Sequence, residues 1–234
     1  MWTVIEILAR LIALVFVFSP HEFAHAYIAY KNGDPTANMR GRMTLNPLKH
    51  LDPVGYFLCA VAGFGWARPV PINPYNFKKY KLGLFTTAIA GVVANYIVAF
   101  FAFLIYVLLG RFVSQIASIN TLLFFVYYFI ETVFYMIFLY SLFSVVFNLL
   151  PLYPLDGFRI VESFTRQINP VRRFLRNYGQ IILIIIVAEN IFCSYLAPYL
   201  PILRYFNVLS YVSWFAQNIV GFPIKAAWSW ITRI

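Results

Sequence analysis

The sequence predicts an all-α polytopic membrane protein with about four to six transmembrane helices and a short extended or β loop after the first of them. Composition is the first sign: 62% of the 234 residues are hydrophobic and only 11% are charged. Soluble domains carry roughly 25% charged residues, so a water-solvated globule is excluded. The second sign is run length, because several apolar stretches reach the roughly 20 residues that a bilayer demands. The third is the placement of basic residues, which gather in two loops rather than over a surface.

Taken in order, spans are expected near Thr3–Tyr30, Leu82–Gly110, Thr121–Leu150, Gly179–Ala197 and Ile202–Val220. Val54–Trp66 is apolar but short, which predicts a re-entrant or interfacial segment. Phe222–Trp230 is amphipathic and Trp-bearing, suited to lying on the membrane surface. The first apolar run has no basic leader and no small-residue cleavage site, so it is expected to stay in the mature protein. Cys59 and Cys193 lie far apart in apolar surroundings and read as buried free thiols. Tyr127, Tyr128, Trp214, Trp228 and Trp230 sit at segment ends, where interfacial anchoring accounts for them.

The net charge of +10 does not point to nucleic acid. Eight basic residues lie between Lys31 and Lys81, and five between Arg159 and Arg176, whereas the connection Arg111–Asn120 holds only Arg111. Basic loops stay in the cytoplasm. Both rich loops are inside if Leu82–Leu150 forms one hairpin out and back, which puts the N-terminus outside. The expected surroundings are a bilayer, with lipid as an obligate partner and His21 and His25 toward the cytoplasmic side.

One pentad inside the first span carries chemistry: His21-Glu22-Phe23-Ala24-His25. Residues i and i+4 share a helix face, so both histidines can bind one ion, while Glu22, about 100° away, can reach a ligand of that ion without binding it. The H-E-x-x-H pattern arises by chance about once in a thousand sequences of this composition. The plain alternative is a pair of buried histidines bonded to backbone, which a membrane interior disfavours. Lys31 lies six residues beyond His25, so the pair sits roughly 9 Å from the cytoplasmic boundary. Pro20 removes a backbone hydrogen bond just before the pair and is expected to bend the helix.

Catalytic zinc takes three protein ligands and keeps one position open. Candidates for the third are His50, Asp52, Glu131, Asp156, Glu162 and Glu189. Asp156 has the best context, at the cytoplasmic end of the third span, after Pro151 and Pro154 and before Gly157. Its plain alternative is an N-cap for the helix that follows.

These motifs occur in the order found in a known family. His21-Glu22-x-x-His25, the Ala90–Asn95 stretch containing Gly91, and Asn148 through Asp156-Gly157 resemble the site-2 protease family of intramembrane zinc metalloproteases. Arg42–Gly55 and Trp66–Pro74 resemble the loop of its compact prokaryotic branch, which lacks PDZ and CBS modules. The resemblance covers roughly Phe16 to Arg159. It implies a three-helix catalytic core in a prokaryotic plasma membrane, one Zn²⁺ per chain held by His21, His25 and Asp156, and cleavage of a transmembrane segment of another protein. On this reading 1–234 is one integral membrane domain, with a catalytic bundle over 1–160 and accessory helices over 161–234.

Glu22 is then the general base, taking a proton from water and giving it to the leaving amine. Asn95 is a candidate donor to substrate or oxyanion, with interhelical packing as its alternative. His50 and Asp52 are candidates for orienting the metal site or, more simply, for shaping a polar turn before Pro53. Arg40–Leu45 and Arg68–Ile72 are extended candidates for an edge strand that pairs with an unwound substrate. Glu131 and Glu189 are intramembrane acids that either function or pair.

Two other functions remain open on sequence alone. A metal-ion transporter would spread its ligands through the bilayer depth. A catalytically inactive relative that binds transmembrane partners would lack a ligand or the base.

Overall fold

A computed structural model describes residues 2–112 and 121–233. Nine α-helices lie among them: α1 Trp2–Lys31, α2 Thr36–Met39, α3 Pro53–Ala62, α4 Tyr80–Phe112, α5 Thr121–Asn148, α6 Asp156–Phe164, α7 Pro170–Leu196, α8 Val208–Phe215 and α9 Phe222–Arg233. Four helices are long and apolar enough to cross a membrane: Val4–Lys31, Tyr80–Arg111, Thr121–Asn148 and Pro170–Leu196. Positions 113–120 of the expected outer connection lie outside the described residues.

The fifth expected span, Ile202–Val220, is not one. It breaks into a 3₁₀ turn at Pro201–Tyr205, then α8, then a π turn at Ala216–Val220. Asn207 caps α8 by accepting from the Ser210 N–H at 2.9 Å. From Val208 to Val220 the helical run rises only about 20 Å, short of the roughly 30 Å hydrocarbon core.

Helix α1 runs unbroken through Pro20. The missing N–H frees the carbonyl of Phe16, on an exposed side chain's turn of the helix. α1, α4 and α5 pack on one another, and α6 packs on α4. Small residues let α1 and α4 approach: Ala9, Ala13, Ala99 and Ala102 are all buried, and Phe138 and Leu142 of α5 fill the space they leave. In lipid such packing, rather than water exclusion, holds helices together. α9 returns to α4, where the Trp228 indole N–H donates to the Phe100 carbonyl at 3.2 Å.

The apolar 53–66 segment forms a helix and return. Asp52 caps α3 by accepting from the Gly55 N–H at 2.9 Å, and Gly63 ends it at φ +74°. The return strand lies so close that a Cβ on Gly55 would stand 2.2 Å from the Trp66 carbonyl oxygen. Arg10 of α1 holds the far end through the Cys59 carbonyl at 3.3 Å. Among the described residues there is no β-strand, and 64–73, within the expected extended loop, forms no regular secondary structure.

The remaining expectations resolve locally. Cys59 and Cys193 are buried and free. Glu162 forms a buried ion pair with Arg172, which ties α6 to α7. Glu189 accepts from the Cys193 thiol at 3.1 Å and from the Val208 N–H at 3.3 Å, anchoring the start of α8.

Candidate metal centre

His21 and His25 lie one turn apart on α1, as their spacing requires, and both are buried. Their Nε2 atoms stand 2.9 Å from each other. Asp156 Oδ2 lies 3.4 Å from His21 Nε2 and 3.0 Å from His25 Nε2. These three residues form the one group of candidate metal donors among the described residues, with ligand atoms within 4.8 Å of one another. His50, Asp52, Glu131, Glu162 and Glu189 are not in it.

Asp156 reaches this point because the chain stops being helical after Asn148. Pro151 and Pro154 forbid continuation of α5, and α6 begins at Asp156 itself. The N-cap is Leu155, and no side chain caps the helix, so the alternative role for Asp156 is not taken. Gly157 makes the turn possible, since a Cβ there would sit 2.3 Å from the carbonyl oxygens of Leu149 and Leu150.

The outward ring nitrogens fix the inward ones. His25 Nδ1 lies 2.7 Å from the Thr87 carbonyl oxygen, which can only accept, so Nδ1 carries the proton and Nε2 presents a lone pair. His21 Nδ1 lies 3.1 Å from Asn95 Nδ2, which also donates to Ser144 Oγ at 2.8 Å. Asn95 Oδ1 is buried with no partner. Turning the amide end for end lets Oδ1 accept from a His21 Nδ1–H, the tautomer that frees Nε2 for an ion. Asn95 is fully buried behind His21 and does not line the cavity. In this arrangement its side chain meets His21 rather than the cavity, which suits it to holding a ligand ring.

Lone pairs of two imidazoles and a carboxylate oxygen with no hydrogen-bond donor therefore converge on one buried point. Such a cluster is costly without a positive charge at its centre. Glu22 stands beside it but not in it. Its Oε2 accepts from the Val70 N–H at 2.7 Å. The site opens onto a cavity of about 940 Å³, lined by α1 from Arg10 to His25, by the 63–72 segment, and by α5 from Met136 to Asn148.

The two segments expected to pair with a substrate, Arg68–Ile72 and Arg40–Leu45, commit part of their backbone to bonds within the chain. The Arg68 N–H donates to the His50 carbonyl at 2.8 Å, the Val70 N–H is held by Glu22, and positions 69 and 71 are prolines. Of the N–H groups in Arg68–Ile72, that of Ile72 alone stands outside these bonds. In Arg40–Leu45, the N–H groups of Arg40, Gly41 and Arg42 close turns onto Thr36, Asn38 and Ala37. His50 and Asp52 prove to be loop residues. His50 Nε2 lies 2.7 Å from the Thr44 carbonyl oxygen, and Asp52 caps α3.

Asp34, Thr87, Ser144 and Val70 were not distinguishable as site residues from sequence. Thr87 and Val70 act through backbone atoms that any residue type supplies. Asp34 is fully buried just beyond α1. It accepts from the Asn73 N–H at 2.7 Å, from Asn76 Nδ2 at 2.8 Å and from the N–H of Thr36 at 3.1 Å. Burial works against its charge, but these donors and the Thr36 hydroxyl prevail and hold its carboxyl below the ordinary range.

Comparison with known proteins agrees with this geometry. A curated relative from Bacillus subtilis (strain 168), described as "Putative zinc metalloprotease YwhC", is 48% identical over 153 residues, which are 65% of this chain and 67% of that protein. No solved structure matches the chain significantly. The family model described as Peptidase family M50 matches residues 9–189, a stretch that reaches further toward both ends than the motifs alone. Since that match takes in the paired histidines, the middle helix and the distant aspartate, the chain belongs to peptidase family M50, the site-2 protease family, and is an integral membrane protein.

Proposed function

We propose that this chain is an intramembrane zinc metalloprotease that hydrolyses a peptide bond within or near a transmembrane segment of another protein. The observation that carries this reading is the buried convergence of His21, His25 and Asp156 beside a carboxylate, Glu22, that is not among the donors. The donor atoms are 2.9 to 3.4 Å apart, compatible with the roughly 3.3 Å edges of a tetrahedral zinc site with 2.0–2.1 Å bonds. Two imidazoles, one carboxylate and a side open to the cavity suit one Zn²⁺ per chain. Zinc bound there supplies a Lewis acid that acidifies water and polarises a carbonyl.

The chain's own residues do the rest. Glu22 Oε1 takes the proton of the attacking water and delivers it to the leaving amide nitrogen as the C–N bond breaks. Thr87 and Asn95 hold the two imidazoles in the required tautomers. Leu14, Val17 and Val70 are among the apolar side chains that line the cavity beside these groups. A helical substrate hides its peptide groups, so the scissile region must unwind before it can enter.

The loop charges support a site facing the cytoplasm of a prokaryotic cell. Clustering of the donors at one depth favours hydrolysis over ion transport, which needs ligands along a path. The test is cleavage of a model transmembrane substrate by the purified protein in detergent, before and after 1,10-phenanthroline and again after added zinc. Loss and recovery of cleavage support the reading; cleavage indifferent to the chelator overturns it.

A further inference from the structure

The segment 67–72 passes directly over the catalytic carboxylate and is fastened on both sides of it. Upstream, the Arg68 N–H donates to the His50 carbonyl at 2.8 Å, and Arg42 Nη2 donates to the Arg68 carbonyl at 2.7 Å. Downstream, Asn73 and Asn76 donate to Asp34 at 2.7 and 2.8 Å. Between these anchors the Val70 side chain is buried against Ala26 of α1 and Ala37 of α2. Pro69 and Pro71 restrict the backbone on either side and leave Val70 with the only N–H between them. That N–H donates to Glu22 Oε2 at 2.7 Å. A charge-assisted bond of this length fixes the carboxylate rotamer, and no described residue bonds Oε1.

We propose that Asp34 is a positioning residue for Glu22. It fixes the 67–72 strap through Asn73, so that the Val70 N–H holds one oxygen of the base and the other stays free for proton transfer. The inference rests on Glu22 as general base. It assigns a part in catalysis to a carboxylate twelve residues away that never meets the substrate. Asp34 suits the task because it is fully buried, lies just past the end of α1, and ties that end to the loop's return through Asn73 and Asn76. An asparagine at 34 would keep the shape but turn an N–H₂ toward one set of these donors.

The test uses the full chain in detergent, loaded with zinc, as wild type, Asp34→Asn, Asn76→Ala, Glu22→Gln and Glu22→Ala. Zinc content, kcat and KM on a model transmembrane substrate, and amide exchange across 67–72 are measured. The two prolines carry no amide hydrogen, so exchange in this stretch reports on Ala67, Arg68, Val70 and Ile72, of which Arg68 and Val70 are hydrogen-bonded. Asp34→Asn is expected to keep zinc and KM, to lower kcat about ten- to hundredfold, and to speed exchange at Val70. Asn76→Ala should move both readouts in the same direction by less. Glu22→Ala should speed Val70 exchange, and Glu22→Gln, which keeps an acceptor, should not. Faster Val70 exchange in Asp34→Asn with unchanged kcat overturns the proposal, as does Val70 exchange indifferent to Glu22→Ala. Loss of zinc, KM and kcat together in Asp34→Asn and Asn76→Ala shows a merely structural role and also overturns it. A wild type that cleaves nothing refutes the protease reading separately, because the exchange comparison needs no turnover.

Discussion

Gly91 of α4 faces His25 of α1 across a gap that no side chain could share. A Cβ at Gly91 would stand 2.5 Å from His25 Nε2 and 2.6 Å from His21 Cε1. The middle helix thus makes room for both imidazoles by having no side chain there. Gly91→Ala is expected to push a ligand ring aside and lower zinc affinity at least tenfold, with a larger loss for Gly91→Val. Zinc content after dialysis against graded zinc buffers measures this. Wild-type affinity in Gly91→Val would show that the rings do not hold the ion where they stand.

Asn95 separates two roles by which quantity moves. Because it lies 3.1 Å from His21 Nδ1 and outside the cavity, Asn95→Ala should weaken zinc binding about ten- to hundredfold and lower activity through that loss. Saturating zinc should then restore most of the rate. A rate that stays low with zinc fully bound would return Asn95 to the oxyanion.

Acid should loosen the strap before it unfolds the bundle. The Asp34 carboxyl is held below its ordinary value by donors from Thr36, Asn73 and Asn76, which outweigh its burial. A depressed folded pKa gives stability that is complete above the unfolded value, about 4, and is lost as pH falls through the folded one. Wild type should therefore lose protection across 67–76 as pH drops below about 4, measured by amide exchange corrected for intrinsic rates. Asp34→Asn should be less protected at neutral pH and lack that acid limb. Equal limbs in both proteins would contradict the assignment.

Much of the site was legible because its chemistry is local in sequence. His21, Glu22 and His25 follow from helical spacing alone, and Asp156 from two prolines and a glycine around an acid. The four long spans follow from apolar length. Ile202–Val220 misled because it has the composition of a span, while a cap at Asn207 and a π turn decide its geometry. Asn95 was legible in its place but not in its contact. Sequence places it on the right helix near the right residues, but only packing shows that it faces the back of a ligand. The Val70 contact had no signal at all, since a main-chain N–H is common to every residue except proline. The prolines at 69 and 71 excluded a helix, and none forms there. They also remove two of the N–H groups between Arg68 and Ile72.

The most direct test of the central claim compares wild type with Glu22→Gln, measuring zinc per chain and cleavage of the same transmembrane substrate. The geometry predicts about one zinc in both, since Glu22 is not a ligand, and a rate lowered by about 10² to 10⁴ in the variant. Cleavage at the wild-type rate by zinc-loaded Glu22→Gln would contradict the account.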